Sequence, residues 1–532
     1  MSPTSDRAAL SDDTYKWRAF AAIGISFFTN VMTMSMVFVA LSAIADDFGV
    51  TLRAVSWFVI VEALIISSML LPMGRVADIV GRRRMHLSGL VVFGTGAVLV
   101  GLAPTFPLLI AARVVMSTGN AMGQSVGTAM VVAVFPEHER GKAVGSQTTA
   151  VSIGGASGPL VAGLALQVLP WEALFLLLVI PVGVAFVAGW ILLDEERVSG
   201  TSSSPGRFDR GGALLSAAAV TLLVLTINNP LAIRWDSPVI VIGAVAAVVF
   251  FVLFVRWELA ADTPMLELRL FGSSLFTMSV ATRLFGFTAS SATRFLLPIY
   301  LISFRGLAEG AAGAVLFLIS LGMGIAAQSS GRLSDRLGSR PFVIGGLALL
   351  TATSLFLVTA GEETSFVVLS AVVFAGGLAN GAWNVPNNAT ILSAVPASDL
   401  GVIGAFTNLT RNVGNVFGQA VASAVVVGVM VSQGFDIPLS EVSTAVGAGS
   451  AFIDGWRVAY LFVTASAAVA LVLAIFTRPA PTTSRASSSR RVRDGDGEEG
   501  HGGRHDCGEH EDGVIGTGHV VAHRDDQRPD RR

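Results

Sequence analysis

Within stretches that are otherwise apolar, this chain places one carboxylate and four guanidinium groups: Glu62, Arg113, Arg283, Arg294 and Arg411. An acid in such a setting is expensive, so it marks a functional position by default. Glu62 is the group there that could take up and release a proton, or it could serve as the neutralising partner of an arginine such as Arg113. Arg283 and Arg294 are eleven residues apart, and at about 100° per residue they return to nearly the same helix face. That face would border a water-filled cavity, unless each arginine reaches separately to its nearer interface. Two amide rows follow the same periodicity. Asn380, Asn384 and Asn387 form one, and Asn408, Asn412, Asn415 and Gln419 the other. Amides between membrane helices often make only packing bonds of about 0.6 kcal/mol each, the reading preferred here for the second row.

The elements that position these residues must be membrane helices. Of 532 residues, 52% are hydrophobic and only 14% charged, where a water-soluble chain carries about 25% charged residues; the mean hydropathy is +0.68. With about 20 apolar residues per crossing, spans are predicted near 18–41, 54–74, 85–103, 107–133, 142–167 and 172–193. Two more fall near 212–228 and 238–256, and six near 274–303, 310–330, 342–360, 366–390, 400–430 and 457–476. The fold class is therefore an all-α polytopic membrane protein with fourteen transmembrane helices. Its expected organisation is an N-terminal segment 1–17, a six-helix bundle 18–193, linkers and two extra spans 194–273, a second bundle 274–476, and a disordered tail 477–532. The polar, acid-containing N-terminus is unlike a cleaved signal peptide.

Several functions are disfavoured at once. A net charge of −2 argues against nucleic acid as a partner. The single Cys507 matches no disulfide, zinc or redox spacing, and the histidines of the tail show no recurring ligand spacing. No metal or cofactor is expected. Lys16 and Lys142, the only lysines, lie in no G-x-x-x-x-G-K-[S/T] loop, which argues against direct ATP hydrolysis. No paired nucleophile and base points to an enzyme. Basic residues crowd the loops on one side (Arg75, Arg82, Arg83, Arg84, Arg140, Lys142, Arg197, Arg207, Arg210, Arg256, Arg269, Arg332, Arg336, Arg340), against Arg53, Arg234, Arg305 and a borderline Arg457 on the other. Both termini are then expected in the cytoplasm of a cell-membrane protein.

One motif occurs twice: GRVADIVGRRR from Gly74 and GRLSDRLGSRP from Gly331, each after an outside-to-inside span. Small Gly74 and Gly331 would permit close helix approach, and Asp78 and Asp335 could accept bonds from a facing helix N-terminus. This G-x-x-x-D-x-x-G-x-R pattern resembles the cytoplasmic loop motif of the major facilitator superfamily, and the resemblance implies a conformational latch built from Gly74, Asp78, Arg82, Gly331, Asp335 and Arg336. The first copy has Ile79 where the family usually has a basic residue. The run GGASGPLVAG, with Gly154, Gly158, Pro159 and Gly163, is similar to the glycine-proline motif of the antiporter branches, with Ala162 in place of one glycine. Trp57, Trp171, Phe175, Pro181, Gly183, Phe417 and Gly418 fit the fourteen-span drug:proton antiporter branch, a likeness covering roughly residues 18–476.

Two positions depart from that branch. Thr33 stands near where the first span commonly carries an acid, and Met116 and Ser117 replace the Gln and Gly after Arg113. Proton coupling, assigned here to Glu62 and Arg113, therefore rests on the physics of the acid. By analogy with the family the twelfth span lines the cavity, which makes Arg283, Arg294, Asn380, Asn384 and Asn387 the candidate substrate contacts. The implied function is proton-coupled efflux of drugs or small organic metabolites by alternating access, by a monomer in the bilayer. The excess of buried arginine over buried acid favours neutral or anionic substrates. An uptake permease for organic anions and a non-transporting membrane sensor are the alternatives.

Overall fold

The structure is a computed structural model, described over residues 3–199, 208–229, 233, 237–261, 264–395, 399–435, 437, 439, 442 and 447–477. The expected disordered tail beyond Thr477 lies outside these residues, as do its histidines and Cys507. No β-strand occurs among the described residues. The helices are α1 (Pro3–Phe48), α2 (Leu52–Val80), α3 (Arg82–Gly101), α4 (Phe106–Val134), α5 (Arg140–Ala165), α6 (Trp171–Leu177), α7 (Val179–Leu192) and the short α8 (Glu195–Ser199). They continue as α9 (Arg210–Asn228), α10 (Pro238–Ala260), α11 (Ser274–Ile299), α12 (Glu309–Leu337), α13 (Arg340–Val358), α14 (Phe366–Ser393), α15 (Leu400–Ser432) and α16 (Ala448–Phe476).

Twelve helical stretches among the described residues are long and apolar enough to cross a membrane. α4 and α5 fall outside that set although they run for 29 and 26 residues, because Gly, Ser, Thr and amides dilute their apolar content. Both are enclosed by neighbours: α4 packs against α2 and α3, and α5 against α1 and α12. The lipid-facing character is plainest in α10, whose valines, isoleucines and phenylalanines are largely exposed and which packs chiefly against α9.

Several boundaries differ from the sequence expectation for local reasons. The predicted sixth span divides into α6 and α7 at Leu178, where Pro181 has no N–H to offer the Leu177 carbonyl. The last helix begins nine residues before its predicted start, so Arg457 lies within α16, exposed and 3.4 Å from Asp454, instead of in a loop. α1 likewise runs well beyond 18–41 at both ends. The duplicated motif gives duplicated geometry: Gly81 and Gly338 close α2 and α12 with φ of 103° and 86°, a backbone region open to glycine without strain.

Small residues set the closest approaches. A Cβ at Gly154 would lie 2.5 Å from the Phe28 carbonyl oxygen, and one at Gly158 2.5 Å from that of Met32, both on α1. Pro159 is accommodated inside α5 without ending it. Gly163 faces open space. Gly158→Ala is expected to lower the thermal midpoint of the detergent-solubilised protein through the forced separation of α1 and α5, while Gly163→Ala leaves it unchanged; fluorescence size-exclusion thermostability checks both.

Candidate functional site

Glu62 sits about 15 Å along α2 from its start and is 4% exposed. Its Oε2 accepts a short hydrogen bond from Arg113 Nη2 on α4. Arg113, fully buried, also donates from Nε to the Phe58 carbonyl at 3.2 Å and places its guanidinium 4.4 Å from the Phe58 ring centroid. The two residues assigned to proton coupling are thus joined as one buried ion pair. Thr33 is buried as well, but its hydroxyl bonds back to the Thr29 carbonyl of its own helix at 2.8 Å, so α1 brings no competing acid to this level.

Two residues that sequence reasoning passed over extend the pair. Asn120 Nδ2 donates to Glu62 Oε1 at 3.2 Å, and Gln124 Nε2 donates to Asn120 Oδ1 at 3.0 Å. Their signal was present in the chain: Arg113, Asn120 and Gln124 at i, i+7 and i+11 share one helix face. Gln124 then meets the second half of the molecule. Arg411 Nη2 on α15 donates to Gln124 Oε1 at 3.1 Å, and Asn408 Nδ2 donates to the Gln124 carbonyl at 3.0 Å. Asn408, expected to make only packing bonds, therefore bonds across the junction of α4 and α15.

The other arginines are held by amides and backbone. Arg283 donates to the Thr407 carbonyl and to Asn384 Oδ1, each at 2.9 Å, and lies 5.0 Å from the Phe287 ring centroid. Arg294 donates to Asn415 Oδ1 at 3.1 Å. The row on α14 turns its face to α11: Asn380 accepts a short bond from Ser290, Asn384 meets Arg283, and Asn387 donates to the Ser279 carbonyl at 3.1 Å. Arg294, Asn380, Ser290 and Thr293 border a small cavity of about 20 Å³ among α11, α12, α13 and α14. No carboxylate stands among the described partners of Arg283, Arg294 or Arg411, so this region carries uncompensated positive charge.

The duplicated motif lies at one end of the helices and joins the halves reciprocally. Asp335 on α12 accepts from the Gly141 and Lys142 N–H groups, at 2.7 and 2.8 Å, in the first turn of α5. Asp78 on α2 lies against the first turn of α15, where a Cβ on Gly401 would overlap its carboxylate, and it pairs with Arg82 at 3.4 Å. Each carboxylate therefore meets the first turn, and the positive dipole end, of a helix from the other half. The glycines permit this approach: a Cβ on Gly74 would fall 2.7 Å from Ala405 Cβ, and one on Gly331 would overlap the Gly141 carbonyl. Arg336 is exposed on the last turn of α12. Farther along the α5–α12 seam, Thr149 Oγ1 donates to the Gly324 carbonyl at 3.2 Å.

Such a fold, with paired intramembrane charges and reciprocal helix-end contacts, is that of a polytopic carrier. The sequence profile of the Major Facilitator Superfamily matches residues 23–419, and the chain belongs to that superfamily. It is 29% identical over 417 residues to the riboflavin transporter RibZ of Clostridioides difficile, covering 77% of this chain and 88% of that one. Similarity to the multidrug resistance protein Stp of Mycobacterium tuberculosis is 29% over 406 residues, 76% and 74% of the two chains. The tetracenomycin C resistance and export protein of Streptomyces glaucescens is 27% identical over 513 residues, 88% and 93%. Among solved structures, the human organic anion transporter MFSD10 superposes with a TM-score of 0.58 at 17% identity, covering 85% of this chain and 99% of that one, which shows a shared fold.

Removing one member of a buried ion pair leaves the other charge unmet, at a cost of about 3–5 kcal/mol. Arg113→Leu is therefore expected to destabilise strongly, and the double variant Glu62→Gln/Arg113→Leu to recover most of the loss, as measured by thermal unfolding in detergent.

Proposed function

We propose that this chain is a proton-coupled efflux carrier for drugs or small organic metabolites, working by alternating access as a monomer in the cell membrane. In this reading α4 and α5 also span the bilayer. The crossings then number fourteen, two six-helix bundles and the inserted α9–α10 hairpin, with both termini cytoplasmic. The motif-bearing end is the cytoplasmic face. Its contacts through Asp78 and Asp335 latch the bundles together there while the carrier is closed to the cytoplasm.

The observation that carries the proposal is the buried Glu62–Arg113 pair, connected by hydrogen bonds to a region where the arginines have no acid of their own. A titratable carboxylate supplies the proton site. The arginines and amides of α11, α14 and α15 supply polar contacts that suit neutral or anionic substrates. Export in preference to uptake is supported by the glycine-proline motif of α5 and by similarity to resistance and export proteins. The absence of an acid from α1 between residues 19 and 45, with Thr33 bonded to its own backbone, keeps an uptake permease for organic anions as the second reading.

In inverted vesicles with an imposed proton gradient, the wild-type protein is expected to take up anionic or neutral dyes with accompanying proton release. Glu62→Gln is expected to retain dye binding and lose both fluxes. Undiminished coupled transport in Glu62→Gln, or a preference for cationic dyes, would count against this assignment.

A further inference from the structure

Glu62, Asn120, Gln124 and Arg411 form a single file that leads from the buried ion pair across the junction of α4 and α15. The two ends of the file fix its direction. A carboxylate only accepts hydrogen bonds and a guanidinium only donates. Each amide between them must therefore turn its oxygen toward Arg411 and its NH2 toward Glu62.

A proton arriving at Glu62 meets two unequal oxygens. Oε2 is held by Arg113, itself anchored on the Phe58 carbonyl and the Met116 sulfur. Oε1 faces the Asn120 NH2, so the proton settles on Oε1, where O–H and N–H then oppose one another. Rotation of the Asn120 amide restores a bond, with the Glu62 hydroxyl donating to Asn120 Oδ1. That rotation turns the Asn120 NH2 toward Gln124, which must rotate in the same way. Gln124 then presents its own NH2 to the Arg411 guanidinium, and two donors face each other. A buried donor without an acceptor costs about 1–3 kcal/mol, more for a charged one.

Around Glu62 the neighbouring elements bring no further charge, whereas Arg411 at the far end of the file has Arg283 and Arg294 of α11, which packs against α15, as charged neighbours. Arg113 is the only charged residue of α4 and Arg411 the only one of α15. The remaining elements packed against α2 are α1, α3 and α9. α1 carries no charge between residues 19 and 45, α3 only within 82–86, and α9 only at Arg210.

We propose that Asn120 and Gln124 are positioning residues that relay hydrogen-bond polarity, so that protonation of Glu62 breaks the Arg411–Gln124 bridge and loosens the α4–α15 junction, leaving the Asn408 bond to the Gln124 carbonyl as its remaining side-chain tie. The inference rests on Glu62 as the coupling acid. It adds the physical link by which an occupied proton site alters the contact between the halves. The proton itself stays on Glu62, and only the orientation of the amides travels.

The test uses the full chain in lipid nanodiscs, with Cys507→Ser and one spin label on each bundle at the exposed Val80→Cys and Leu337→Cys positions. Pulsed dipolar spectroscopy over a pH series reads the separation. In the parent, the distribution is expected to shift to longer distance as pH falls. Gln124→Met keeps the side-chain length and removes the relay, and is expected to abolish the shift. Gln124→Glu offers Arg411 an acceptor-only carboxylate, and is expected to hold the short distance at a pH where the parent has opened. A full parental shift in either variant would overturn the relay. Glu62→Gln separates the two levels of the argument. If it too retains the shift, the coupling acid is misassigned; if it loses the shift while Gln124→Met keeps it, the relay alone fails.

Discussion

A charge withdrawn from water must be met by the protein, and the rest of this structure depends on how the Glu62 carboxylate is met. Arg113 supplies the opposite charge and Asn120 a second donor. Once these are fixed, α2 and α4 have a required register, and the Arg113–Asn120–Gln124 face of α4 has a required direction. That direction sets Gln124 against α15, where Arg411 and Asn408 complete the contact. The group proposed as the proton site thus also organises the junction between the two halves.

The ends of the helices obey the same rule with different means. Asp335 is met by N–H groups that the start of α5 leaves unpaired, and Asp78 by Arg82 beside the first turn of α15. Glycine at positions 74 and 331 brings the backbones near enough for a short acid to reach. Because the motif is repeated, the placement is reciprocal: Asp78 of α2 sits at the start of α15 as Asp335 of α12 sits at the start of α5, which it caps. Contacts of this kind hold while the helices stay close and vanish on separation, which suits the alternating access proposed for this chain. The glycines of α5 facing α1 serve a different purpose, since they knit helices of one half together.

Much of this was legible in the chain. Composition and periodicity point to the membrane helices, and the recurrence of GRVADIVG as GRLSDRLG points to the two-fold plan. Glu62 and Arg113 are visible as charges in apolar surroundings. What the sequence does not carry is which distant residues meet. Gln124 and Arg411 are 287 positions apart, and their contact depends on how two bundles dock. The amides of α14 show the same limit: their shared face is readable, but that it turns to α11 is known only from packing. Local details also escape hydropathy, such as the break at Leu178 ahead of Pro181 and the early start of α16.

The account stands or falls on antiport. In sealed proteoliposomes holding a pH-sensitive dye, with no imposed proton gradient, an outward gradient of an anionic substrate probe should drive protons inward as the substrate leaves, and Glu62→Gln should abolish that movement. Protons leaving together with the substrate would identify a symporter, and substrate flux without any proton movement would remove Glu62 from the transport cycle; either result would contradict the mechanism described.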